Sequence, residues 1–324
     1  MADATQMTAS MHKPVASMLR SASSQRHGHS LLNRLLADLS EVTVTSRSGR
    51  RCCRFLTELF YPNEIDELTE LFQQVLGESP AHAKAISADQ LLYRHISRRC
   101  WQRMANSSFS RVRKSALDCL FPHKHQVVRY IRSCQRGVLI TTIHMGDYLH
   151  GLLHLCLSAS SRRKVFILRN RRWDQQEERA FQKFAAAGSR VTVLRRQRNV
   201  ALQAVIQLRR GNVVIALYDL NRHWGSTTRV TFFGHEVALV KGPAKLAILA
   251  QADILPIMFH YASDGSRAVD SFPAIRPCRH GSDSVEAAAT RVTQHLADRA
   301  EQQIRQFPSQ WHHWHLFPDM LADD

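Results

Sequence analysis

Gly137-Val138-Leu139-Ile140-Thr141-Thr142-Ile143-His144-Met145-Gly146-Asp147-Tyr148-Leu149-His150-Gly151 is the stretch whose reading decides the fold. Val138 to Ile143 is apolar, β-branched and uncharged, the composition of a strand buried on both faces of a parallel sheet. His144 stands where that strand ends, Gly146 supplies a tight turn, and Leu149 to Leu155 reads as the helix that follows. In open α/β sheets ligands bind at the carboxyl ends of strands. An imidazole there is placed to act as a general base near neutral pH. The competing reading is a histidine that only satisfies backbone groups.

Outward from this stretch, strands and helices alternate. Lys164 to Arg169 and Arg190 to Arg195 read as short strands around a helix from Gln175 to Ala187; Val200 to Arg210 reads as a helix and Val213 to Asp219 as the next buried strand. Two strands, Arg229 to Phe233 and Glu236 to Val240, surround Gly234, and Lys241-Gly242-Pro243 opens a helix with proline in its first turn. Ile254 to Tyr261 and Val269 to Ile275 close the sheet, and Ser284 to Gln306 is a long last helix. Such alternation predicts an α/β fold with a mostly parallel central sheet flanked by helices.

Upstream the pattern is helical from Phe55 to about Cys119, after a polar, basic break at Ser46 to Arg51. Glu64 to Leu76 carries acids in its first turn and Gly77 at its end. Ser87 to Met104 starts with Ser87 and Gln90 spaced as a capping box, and Phe109 to Cys119 follows. The basic residues on these two helices, Arg98, Arg99, Arg103, Arg111, Arg113 and Lys114, read as a solvated face or as a docking face for an acidic partner. Residues 1–48 read as a flexible basic tail with a short leucine-spaced helix at 31–39, residues 49–121 as an N-terminal helical region, and residues 122–324 as the α/β domain.

The chain has 324 residues, with 44 Lys plus Arg against 27 Asp plus Glu, a formal charge of +17. That excess attracts polyanions, anionic lipid or an acidic protein. Nucleic-acid binding rests on the charge alone, since no recognised motif accompanies it. Seven scattered cysteines without a C-x-x-C pair argue for reduced thiols in a cytoplasmic setting rather than disulfides or zinc. No apolar run is long enough to span a membrane.

Three segments carry a family resemblance: GNVVIALYD (Gly211 to Asp219), VTFFGHEVALVKGPAKLAILAQADILPIMF (Val230 to Phe259) and FPSQWHHWH (Phe307 to His315). Together they resemble the late lipid A (lauroyl/myristoyl) acyltransferase family of the lysophospholipid acyltransferase superfamily, roughly from Pro122 to Phe317. The resemblance implies a glycerolipid-acyltransferase-like fold and transfer of an acyl group from an acyl-carrier-protein or coenzyme A thioester to a hydroxyl or amine. It implies no metal and no cofactor beyond the thioester. It also implies an H-x-x-x-x-D/E motif with histidine as base and the acid orienting it.

In this chain that count lands on Leu149. Asp147, three residues after His144, is the nearest carboxylate and is the expected orienting partner; its competing reading is a helix N-terminal acid that satisfies backbone donors. Expected substrate contacts are Gly146, whose turn amides suit an oxyanion, Asp219 at a strand end, and Arg169 and Arg195 as phosphate or phosphopantetheine ligands. Asp219 reads equally as a capping acid. The histidines of Trp311-His312-His313-Trp314-His315 point different ways and read as no metal site, and the paired tryptophans read as core or as an interfacial anchor. His150 and His154 read as surface or packing residues. The expected setting is cytoplasmic, peripheral to the inner membrane. Leu149 also supports a second reading, a family member without catalysis that binds a carrier protein or membrane.

Overall fold

The computed structural model describes residues 47–160, 163–169, 175–188, 190–194, 199–278 and 283–321. The expected tail with its 31–39 helix, and Arg195 with its neighbours at 196 and 198, lie outside them. Helices α1 (Arg47–Phe60), α2 (Pro62–Leu76), α3 (Pro80–Asn106), α4 (Phe109–Leu117) and α5 (Lys124–Ser133) precede the sheet. The expected break before Phe55 is helical from Arg47, because a helix that buries Cys53 and Leu56 gains more from packing than Ser48 and Gly49 lose by propensity. Ser87 is no cap. Helix α3 begins at Pro80, and the Ser87 hydroxyl donates back to the Ala83 carbonyl at 2.8 Å in mid-helix. Helix α5 escapes pattern reading because only Val127 and Ile131 of its residues are buried.

The sheet alternates as expected: β1 (Val138–Thr142), α6 (Tyr148–Ala159), β2 (Val165–Leu168), α7 (Gln175–Ala185), β3 (Val191–Leu194), α8 (Val200–Arg209), β4 (Val213–Leu217). After a hairpin of β5 (Thr227–Phe232) and β6 (His235–Val240) come α9 (Gly242–Ala250), β7 (Asp253–Tyr261), β8 (Arg267–Ser271), α10 (Val285–Gln306) and α11 (Phe317–Met320). The six strands lie in the order β3-β2-β4-β1-β7-β8, parallel throughout except for the antiparallel edge strand β8. The hairpin turns on Phe233 (φ 54°) and Gly234 (φ 81°), two consecutive left-handed residues of the kind a two-residue turn between twisted strands requires.

Strand β1 is central and wholly buried. Its side chains alternate between two cores: Leu139, with Val214, Ile254 and helices α1, α2, α8, α9 and α10 on one face, and Val138 and Ile140, with Ile215, Ile257 and helices α4 to α7 on the other. The period of two thus feeds an α/β/α sandwich, each buried aliphatic contributing roughly 1.5–3 kcal/mol. Helices α1 to α3 share the first core with the sheet; Phe72 of α2 packs edge-on against Trp314 at 4.8 Å between ring centroids. No helix among the described residues is long and apolar enough to cross a membrane.

Candidate active site

Parallel pairing sets up the site. Strands β1 and β4 run in register from Val138↔Val213 to Thr142↔Leu217, and continuing that register by two residues brings His144 beside Asp219. The His144 backbone N–H donates to Asp219 Oδ2 at 2.8 Å, and its ring Nδ1 lies 2.8 Å from Asp219 Oδ1. An ionised carboxylate only accepts, so Nδ1 carries the proton and Nε2 is left with a lone pair.

A third segment closes over this pair. Residues 310–312 run antiparallel along 144–146: Gly146 N–H donates to the Gln310 carbonyl at 3.1 Å, His312 N–H to the His144 carbonyl at 2.8 Å, and Met145 bridges Trp311. The Gln310 amide in turn holds the end of β7, accepting from Tyr261 N–H at 2.7 Å and donating to its carbonyl at 2.8 Å. This strap aims the Trp311 indole N–H at Asp219 Oδ2 (2.9 Å) and the His313 Nδ1–H at the Asp219 carbonyl (2.9 Å). The His313 ring lies against His144 with centroids 4.2 Å apart, and Tyr148 stands edge-on to His144 at 5.2 Å.

Electrostatics follow from this packing. Burial alone would raise the Asp219 carboxyl; the imidazoles of His144 and His313 and hydrogen bonds from His144 and Trp311 outweigh it and hold the group at about 2. His313 is pushed down to about 4 by burial and then by the neighbouring His144, and His312 to about 3 for the same reasons. Burial lifts the Tyr148 hydroxyl to about 12. At neutral pH the result is a fixed anion at Asp219 beside the neutral rings of His312 and His313.

Asp147 does not take the expected post. It is the N-cap of α6, accepting from His150 N–H, and its carboxylate is held by the His150 ring at 2.8 Å and by Arg267 at 3.2 Å. Burial opposes its charge, but His150 and Arg267 together keep its pKa far below the usual carboxylate range. The reason is geometric: the chain turns at Gly146 (φ 54°) between His144 and the helix, so the two side chains leave in different directions and no helical i,i+3 relation exists.

Gly146 is likewise a structural residue. Its N–H is spent on Gln310, and a Cβ there would come within 2.7 Å of the His260 backbone. The expected oxyanion role therefore finds no donor at this position. Leu149 is buried in the second core, and His150 and His154 are buried rather than on the surface. Trp311 and Trp314 are fully buried, so they are core and not an interfacial anchor.

A cavity of about 710 Å³ opens above His144, lined by Arg94, Ser97, Arg98, Trp101 and Gln102 of α3, by Tyr148, Leu168, Arg169, Glu177, Leu217, Leu220 and Trp224, and by His312, His313, His315 and Leu316. Arg169 lines it as expected but is matched to Glu177 at 2.7 Å and sandwiched by Trp101 and Phe181. Donor atoms of His144, Asp219 and His313 lie within 4.8 Å of one another, as do those of Cys100, Asp147 and His150. Those donors are engaged with each other, with Trp311, with Arg267 or, for Cys100, with the Tyr261 hydroxyl.

Asp219 was named in the sequence as a substrate contact or a capping acid; its pairing with His144 was missed, and so was the strap. The offset of 75 residues between the two uncharged strand runs is itself the signal for Asp219, once the strands are paired in parallel. For His313 and Trp311 there is no comparable signal, because the strap follows from the tertiary fold.

Fold and site together define an α/β protein with a carboxylate-oriented imidazole at the carboxyl edge of its sheet. Residues 171–316 match the family model described as bacterial lipid A biosynthesis acyltransferase, as the motifs suggested. The chain is also similar to the phosphatidylinositol mannoside acyltransferase of Mycolicibacterium smegmatis, 34% identical over 110 residues, 34% of this chain and 32% of that protein. The protein of the same name from Mycobacterium tuberculosis is 34% identical over 117 residues, 35% of this chain and 33% of the relative. The chain spans about a third of the length of the curated relatives it matches.

Proposed function

We propose that this chain is an acyltransferase that moves an acyl group from an acyl-carrier-protein or coenzyme A thioester to a hydroxyl, or an amine, of a lipid or secondary-metabolite acceptor. The observation that carries the reading is the 2.8 Å contact from His144 Nδ1 to Asp219 Oδ1, with Nε2 left as a base beside the cavity. His144 Nε2 removes the proton of the acceptor hydroxyl as its oxygen attacks the thioester carbonyl. The tetrahedral adduct collapses, the carbon–sulfur bond breaks, and the imidazolium returns the proton to the leaving thiolate. Asp219 fixes the tautomer and offsets the transient charge on the ring, as the acid of a triad does.

The cavity wall of Leu168, Leu217, Leu220, Trp101 and Leu316 suits an acyl chain, and Arg169 with Glu177 forms its polar side. The net charge of +17 favours work at an anionic membrane surface, on its cytoplasmic face, and with an acidic carrier protein. The acyl-free binding-protein reading drew on Leu149; an acid supplied from position 219 removes that support.

The test is acyl transfer from labelled carrier-protein and coenzyme A thioesters to a panel of hydroxyl acceptors. His144→Ala and Asp219→Asn are each expected to lower turnover by about 10²–10⁴-fold, with Asp147→Asn far less affected per folded molecule. Transfer by His144→Ala at the wild-type rate would sink the reading.

A further inference from the structure

The reading above leaves unassigned the groups that take the phosphate of such substrates. Arg169, the first candidate in the sequence, has its guanidinium committed to Glu177 at 2.7 Å, both side chains little exposed at 13% and 12%. The cavity has a second basic edge. Arg94 and Arg98 lie one turn apart on α3 and line it, together with His315 from the strap.

These residues are positioned by the site itself. Ser97, between the two arginines, lies 3.4 Å from His312 Nδ1, and the His312 backbone N–H donates to the His144 carbonyl. This face of α3 therefore looks onto the imidazole. His315 is placed by the hydrogen bond from its Nδ1–H to the His312 carbonyl at 3.1 Å. Burial and then the charge of Arg94 lower the His315 pKa.

Their charges are available. Arg98 is exposed and has no ion pair among the described residues. Arg94 faces Glu64 at 3.4 Å, with the two side chains 36% and 43% exposed, a long, solvated pair that a phosphate readily displaces. Two guanidinium groups one helical turn apart present a fork of N–H donors to tetrahedral phosphate oxygens, which lysines or a single arginine would not.

We propose that Arg94 and Arg98 form a phosphate clamp at the mouth of the cavity for a phosphate-bearing substrate of the acyltransferase proposed above. Two sources share this chemistry: the phosphopantetheine arm of the donor, and the phosphodiester of a phospholipid acceptor.

Calorimetric titration of the full chain at fixed ionic strength tests the clamp without depending on turnover. The probes are 4′-phosphopantetheine against pantetheine, and glycerophosphoinositol against inositol. With hydrogen bonds to charged groups worth what they are, Arg94→Gln and Arg98→Gln should each weaken the phosphorylated probe by about tenfold and leave its phosphate-free partner unchanged. An arginine-dependent phosphopantetheine assigns the clamp to the donor; an arginine-dependent glycerophosphoinositol assigns it to the acceptor. Arg111→Gln with Arg113→Gln, exposed on α4, controls for net charge. The clamp is refuted if probes with and without phosphate bind alike, or if the control pair weakens binding as much as the clamp variants do. A transfer assay on the same proteins keeps the two ideas apart. Arginine variants that bind as wild type while His144→Ala is inactive defeat the clamp alone. A fully active His144→Ala defeats the acyltransferase reading, whatever the titrations give.

Discussion

Two aspartates near one histidine divide between fold and chemistry. Asp219 touches the ring that faces the cavity, whereas Asp147 is closed in by His150 and Arg267. Removing the charge of a buried, fully paired carboxylate strands its partners, and breaking such a pair costs about 3–5 kcal/mol. Asp147→Asn is therefore expected to lower the denaturant midpoint by that order while turnover per folded molecule is retained. Equilibrium unfolding in urea, set beside an active-fraction measurement, checks this; a stable but inactive variant would return Asp147 to the reaction. The sequence placed both acids near the strand ends but judged nearness by spacing along the chain. The turn at Gly146 breaks that proxy, and the parallel ladder makes a residue 75 positions away the true neighbour.

At the scale of elements, the segment from Gln310 to His312 behaves as an added strand over the β1–α6 turn, and Gly146 is where the two backbones meet. Alanine there must adopt φ 54° and press its Cβ to within 2.7 Å of His260 Cα and 2.8 Å of the Phe259 carbonyl. Since backbone cannot move aside as a side chain can, Gly146→Ala is expected to cost at least 1–3 kcal/mol, in the range of overpacked cores. It should also loosen the strap, seen as faster hydrogen exchange at the amides of Gly146 and His312. Unchanged protection at both would show that the strap does not depend on this contact. The strands and the mostly parallel character of the sheet were legible because buried parallel strands are uncharged β-branched runs, and Val138 to Thr142 and Val213 to Leu217 are of that kind; the order of the strands was not. The start of α3 was not, since a mid-helix serine and glutamine imitate a cap. The strap was not, since its residues follow no period.

Across the whole molecule, the buried histidines give stability a pH dependence of known sign. His313 and His312 are held at about 4 and about 3, and burial, then Lys124, sets His154 at about 4, all below their ordinary value near 6.5. Between that value and the folded ones the unfolded chain binds more protons, so stability falls as pH drops from about 6.5 towards 4 and flattens below about 3 for these groups. Asp219, at about 2, adds a second loss that begins near 3.8 on the way down. Each shift of this size corresponds to a few kcal/mol. Unfolding free energy measured from pH 7.5 to 4 is expected to decline steeply, and His154→Leu to flatten part of the slope; a level profile would show these rings protonated in the fold. The strap has a further implication for biosynthesis. Asp219 receives its indole donor from a residue 92 positions later in the chain. During synthesis the sheet, with its histidine and acid, leaves the ribosome well before the segment that locks them. A nascent or prematurely released chain thus holds an unlocked dyad, and the site matures only as the strap is laid down.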